Sequence, residues 1–77
     1  LLKNAGVLKQ ADLIICLTES DVVNVYITLT ARYLNPQINI ISRANHKDSV
    51  RKLKQAGANH TIVPFKVIGL IAVEFIG

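Results

Sequence analysis

Three short apolar runs punctuate this chain, over 12–17, 38–43 and 60–63, and the stretches between them carry apolar residues at helical spacing. A brief continuous apolar run bounded by polar residues is the mark of a strand buried on both faces, as in a parallel sheet. A strand that passes through a polar turn into a helix, then into another such strand, is a βα unit. Parallel neighbours need a crossover of this kind, and such crossovers are right-handed. The alternation therefore constrains the chain to α/β architecture: a parallel sheet with flanking helices, in the order β-α-β-α-β-α.

The first of these units organises the rest. Leu13 to Leu17 is followed by four small or polar residues, Thr18, Glu19, Ser20 and Asp21, and then by a helical pattern over 21–34. In open parallel sheets, ligands sit at the carboxyl ends of the strands, where such turns lie. Ser20 or Asp21 is suited to cap the helix. Val22, Val25, Tyr26, Leu29 and Tyr33 share one face, and Val23, Ile27, Thr30 and Leu34 form a second apolar stripe beside it. Asn35-Pro36 ends the helix, because proline cannot continue it and restricts the residue before it. After the second strand, Asn45 and Asp48 have the spacing of a capping box for a helix running to about 56. Val50, Leu53 and Ala56 form its apolar stripe, and Gly57 closes it. Pro64, having no N–H to donate, is expected to end the third strand at 63. The pattern over 67–76 reads as a last helix, with Gly69 as a close-packing point. At the other end, residues 1–5 read as the end of a helix capped by Gly6.

Composition narrows the class. With 77 residues, a chain of this size buries only about 60% of its unfolded surface, yet 51% of the residues are hydrophobic. That surplus points to faces covered by something else, a partner or more of the same domain. The segment 65–77 is apolar but short, and Lys66 and Glu74 interrupt it, so it is expected to pack on protein rather than span a bilayer. The single cysteine, Cys16, lies inside an apolar run and reads as a small core residue of a reducing compartment.

The groups that could carry chemistry gather at two turns. Thr18, Ser20, Asp21 and Asn24 follow the first strand, and Arg43 and Asn45 follow the second. Adjacent parallel strands would bring both turns to one rim. Hydroxyls, amides, helix N-termini and a guanidinium suit a phosphate or a ribose. The plainer account is that Ser20, Asp21 and Asn45 only cap helices, and that Arg43 forms a surface ion pair with Asp48. Thr18, Asn24 and Arg43 are the candidate ligand contacts, Asn24 because an amide stands one turn into an otherwise apolar helix. Six of the nine basic residues lie from Arg43 to Lys66, but no aromatic residue stands between Tyr33 and Phe65 to stack bases; a solvated helix face is expected there, not a nucleic-acid surface. His46 and His60 flank a helix without a second cysteine or paired acids, so no metal site is expected. No nucleophile, base and acid can be grouped, and no enzyme activity is expected. The glycine-rich phosphate loop of dinucleotide-binding domains is absent, so the chain has the second half of a doubly wound domain without its fingerprint half.

Thr18-Glu-Ser-Asp21-x-x-Asn24 after the first strand, Ala31-Arg32, Ile40-Ile-Ser-Arg43-Ala44, Leu53-x-x-x-Gly57-Ala58-Asn59 and Val63-Pro64-Phe65 together resemble the RCK domain (regulator of potassium conductance), also called TrkA-N or KTN. The resemblance covers essentially all of 1–77, read as a single partial Rossmann-like domain. It implies a regulatory module on the cytoplasmic side of the membrane, attached to a potassium channel or potassium uptake system. Such modules bind a nucleotide or an ion, dimerise and often form rings. By the same resemblance, the last helix over 67–76 would cross to a partner subunit. Nucleotide-binding members use the positions of Thr18, Asn24 and Arg43; which nucleotide this chain would take, NAD, NADH, ATP or ADP, the sequence leaves open. Calcium-activated members carry carboxylates where this chain has Cys16, Arg43 and Asn45, so that calcium site is expected to be lacking here. The physiological chain is expected to be longer. The alternatives are the later half of an NAD-dependent dehydrogenase, which would need a catalytic His, Lys or Tyr, and a dimerisation module without a ligand.

Overall fold

In the computed structural model, residues 10–67 and 70–76 are described; the expected N-terminal helix end with its Gly6 cap, and the role given to Gly69, lie outside them. The elements run β1 (Leu13–Cys16), α1 (Asp21–Leu34), β2 (Asn39–Arg43), α2 (Asp48–Ala56), β3 (His60–Val67) and β4 (Leu70–Ile76). The sheet order is β1-β2-β3-β4. β1 pairs in parallel with β2, Ile14 opposite Ile40, and β2 in parallel with β3, Ser42 opposite Thr61. The expected partial Rossmann-like α/β unit is thus present.

Because the strand order is sequential, two crossovers of one hand put both helices on one face. α1 lies against β1 and β2, α2 against β3, and the helices against each other. Alternation along the strands follows: Cys16, Ile40, Ser42, Thr61 and Val63 point under the helices and are buried. Ile38, Ile40, Ala31, Ala44, Leu53, Ala58 and Val63 form the core. The opposite face is open within this chain. Leu13, Ile15 and Leu17 are about half exposed there, so β1 is covered on one face and not on two as its continuous apolar run suggests.

Three further expectations are corrected. The helix predicted over 67–76 does not form: Leu70–Ile76 is a strand, antiparallel to β3, with Val67 opposite Leu70 and Thr61 opposite Ile76. Its branched and aromatic residues, Ile71, Val73, Phe75 and Ile76, favour extended backbone, and an adjacent strand supplies the ladder that a period count cannot see. Pro64 does not end β3 either, but pairs with Val73. Ile62 turns its carbonyl towards β2, where the Ala44 N–H reaches it at 2.8 Å. Two residues on, Pro64 turns its donorless nitrogen to the same side, beyond the end of β2, so no ladder bond is lost. Within α1, the buried positions are Asn24, Thr28 and Ala31, while Val22, Tyr26, Leu29 and Tyr33 are exposed.

Two hydrophilic side chains tie the end of the sheet remote from the candidate rim. Arg32 donates from Nη1 to the carbonyls of Ile38 (2.7 Å) and Pro36 (2.8 Å), and from Nη2 to Gly57 O (2.7 Å) and Asn59 Oδ1 (2.8 Å). Asn59 also exchanges bonds with Ile40, its Oδ1 accepting from Ile40 N and its own N–H donating to Ile40 O, both at 2.8 Å. Gly57, at φ 120°, closes α2 with its N–H shared between Leu53 O and Lys54 O.

Candidate functional site

The turn after β1 is built around one amide. Asn24 is fully buried in the first turns of α1. Its Oδ1 accepts from Thr18 N (3.1 Å) and Thr18 Oγ1 (2.7 Å); its Nδ2 donates to Thr18 O (2.9 Å) and to Arg43 O (2.8 Å). Two acceptor and two donor positions are thereby filled, which is all that an asparagine has. The amide in this polar turn is therefore a strut: it folds the β1–α1 turn onto the helix and ties it to the last residue of β2. Thr18 is consumed by the same contact, with Oγ1 also accepting from Ser20 N at 3.3 Å. Ser20 caps α1 as expected, accepting from Val23 N at 3.3 Å.

The second turn is held from the same helix. Asp21 Oδ1 accepts from Asn45 N (2.7 Å) and Asn45 Nδ2 (2.8 Å). Its Oδ2 accepts from Ser49 Oγ (2.6 Å), His46 N (3.1 Å) and His46 Nδ1 (3.2 Å). Partial burial raises the Asp21 pKa, but bonds from Ser49, the Asn45 backbone, the Asn45 side chain and His46 outweigh it and hold the carboxyl far below the usual carboxylate range. The predicted capping box is corrected here. Asn45 does not cap α2, which starts at Asp48 after Lys47 with no side-chain cap bond. Its amide is instead drawn to Asp21, with Nδ2 also 3.1 Å from Thr18 O.

Arg43 joins this cluster by its carbonyl and leaves it by its side chain. Odd-numbered residues of β2 face away from the helices, so the guanidinium lies on the open face. There it borders a recess of about 420 Å³ with Leu17, Glu19, Ile62, Pro64 and Val73. Its Nε is enclosed and has no hydrogen-bond partner. The structure thus brings Thr18, Asn24 and the Arg43 backbone together, and parts them from the Arg43 guanidinium. The sequence reading missed the recess and the Asp21 cluster, because both depend on residues some 20 or more positions apart.

Away from the rim, a few polar groups lie inside the core. Thr28 Oγ1 and Ser42 Oγ lie 2.7 Å apart in the core, beside Cys16, whose thiol is pushed up by burial and partly restored by hydrogen bonds to these two hydroxyls. Among the described residues no three of His, Cys, Asp and Glu gather where they could hold a metal ion, and no helix is long and apolar enough to cross a membrane.

Parallel strands, one-sided helices and a polar rim at the strands' carboxyl ends define a Rossmann-like half unit. The family model of the TrkA-N domain matches residues 1–64, and the chain belongs to that family. It is 48% identical over 73 residues to "Probable potassium channel protein 2" of Methanocaldococcus jannaschii, covering 95% of this chain and 21% of that protein. "Potassium channel protein 1" of the same organism is 40% identical over 70 residues, 91% of this chain and 21% of the relative. The chain thus spans about a fifth of the channel proteins that it matches. Among solved structures, the GsuK channel bound to NAD superposes with a TM-score of 0.73 at 37% identity, over 80% of this chain and 11% of that one. The TrkA-N domain of the Escherichia coli inner membrane protein ybaL does so with 0.72 at 31% identity, over 75% and 43%. A TrkA-N domain similar to this chain is thus part of proteins named as potassium channels.

Proposed function

We propose that this chain is the later half of a ligand-sensing domain that controls a potassium channel or potassium uptake system from the cytoplasmic side, by binding a nucleotide at the β1/β2 rim and changing the geometry of a subunit dimer. The observation that carries the reading is the Arg43 guanidinium, with an enclosed, unpartnered Nε beside an open recess. A planar cation at the edge of a recess is suited to a phosphate oxygen. Glu19, across the recess, is suited to a sugar hydroxyl. Thr18 and Asn24 serve the site by shaping the turn, since their polar atoms are already engaged. The fit is partial: no glycine-rich loop in this sequence can cradle a pyrophosphate, so that share of the binding falls to residues outside this segment. The structure of a similar channel with NAD supports a dinucleotide as the ligand class.

The dimer belongs to the same proposal. Val22, Tyr26, Leu29 and Tyr33 stand 52–85% exposed along the outward side of α1, an apolar stripe that a partner subunit would cover. A dehydrogenase reading gains no support from the described residues of the site.

The test is calorimetry of the intact protein with ATP, ADP and NADH. Arg43→Ala is expected to weaken binding of whichever nucleotide binds, by about tenfold or more, the scale of one lost charged hydrogen bond. Unchanged affinity would remove Arg43 from the site. Silence of the unmodified protein towards all three nucleotides would favour a dimerisation module without a ligand.

A further inference from the structure

We infer that Asp21 is a positioning residue for the candidate site, resting on the reading that Arg43 meets the ligand: together with Asn24, it clamps the backbone of 43–46 to the first turn of α1, so that the helix sets where Arg43 stands. Two side chains one turn apart on α1 reach across to the exit of β2. Asn24 takes the Arg43 carbonyl at 2.8 Å. Asp21 takes the next two free amides, Asn45 N at 2.7 Å and His46 N at 3.1 Å, and anchors α2 through Ser49 Oγ at 2.6 Å. These amides lie just ahead of α2, at the position where a helix normally supplies its own cap, and Lys47 supplies none.

The consequence is mechanical. A segment held at its carbonyl and at two successive amides from one helix cannot shift without that helix or without breaking charge-assisted bonds. α1 carries the exposed stripe of Val22, Tyr26, Leu29 and Tyr33 on its outward side. A partner resting on that stripe and a ligand resting on Arg43 therefore act on one rigid connection. Any coupling between them is reciprocal.

The test uses the intact protein and two readouts. Hydrogen exchange is measured at the Asn45 and His46 amides, and nucleotide affinity by calorimetry with ATP, ADP and NADH. The variants are Asp21→Ala, Asp21→Asn, and Thr28→Val as a buried change away from the rim. Asp21→Ala is expected to speed exchange at both amides and to weaken nucleotide binding about tenfold. Asp21→Asn keeps one acceptor oxygen and should fall between Asp21→Ala and the unmodified protein. Thr28→Val should leave both readouts near the starting values even where it lowers stability. Exchange at Asn45 and His46 that stays slow in Asp21→Ala overturns the clamp. Fast exchange with unaltered affinity overturns the positioning role. If the unmodified protein binds none of the nucleotides, the ligand reading fails, and exchange alone decides whether the clamp exists.

Discussion

Replacing Asn24 by alanine removes four hydrogen bonds from a fully buried site. One is recoverable, because Thr18 Oγ1 already lies 3.0 Å from Ser20 O and can donate there instead. The remaining three leave Thr18 N, Thr18 O and Arg43 O without that partner. At about 1 kcal/mol net per bond, the expected loss is roughly 2–4 kcal/mol, the spread reflecting how well water reaches a part-buried rim. Ser20→Ala is the internal standard: it removes one cap bond of 3.3 Å in the same turn and should cost about 1 kcal/mol or less. Asn24→Asp separates the two halves of the amide. It keeps the acceptors for Thr18 but sets a carboxylate against the carbonyls of Thr18 and Arg43, so it should be no better tolerated than alanine. The assay is urea unfolding followed by far-UV circular dichroism, with the change read from the midpoint at constant slope. Should Asn24→Ala unfold within about 0.5 kcal/mol of Ser20→Ala, the claim that this amide braces the rim is wrong.

Other consequences follow from the same contacts. Asp21 is held below its ordinary pKa of 3.8, so the unfolded chain takes up its proton first; the stability that Asp21 contributes is present above that value and is lost as pH falls below it. Acid titration of Asp21→Asn should lack this component, and an unchanged acid transition would contradict it. Arg32→Lys should cost about 2–3 kcal/mol by thermal unfolding, because an ammonium cannot span the carbonyls of Pro36, Ile38 and Gly57 that the fork reaches. Gly57→Ala should destabilise by about 1–2 kcal/mol, since φ is 120° and an added Cβ would stand 3.0 Å from Arg32 Cγ; combining it with Arg32→Lys should give less than the sum of the two losses.

Much of the plan was readable from residue order. Alternating apolar runs and helical spacing located α1, α2 and the three parallel strands, and Asn35-Pro36 and Gly57 marked the helix ends. The site was less legible. Thr18, Asn24 and Arg43 stand out at the two turns, Asn24 as an amide in an otherwise apolar helix, but only the Arg43 carbonyl meets the other two: Asn24 braces the turn with no polar atom to spare, and the guanidinium lies on the open face. Asp21 looked like a local cap, and its partners lie 24 to 28 residues away. Local spacing carries no information about such pairs.

The order of apolar and polar segments determined this protein's α/β class and its parallel pairing, because burial of a strand and of a helix face each impose a period that the chain must satisfy. Which stripe of α1 turns inward, where Asp21 reaches, that β3 runs on through Pro64 and that 70–76 is extended were decided only by tertiary contact. A helix apolar on most sides fits several rotations about its axis. The rotation adopted is the one in which Asn24 and Thr28, which cannot be buried unpaired, find Arg43 and Ser42 waiting on the neighbouring strand.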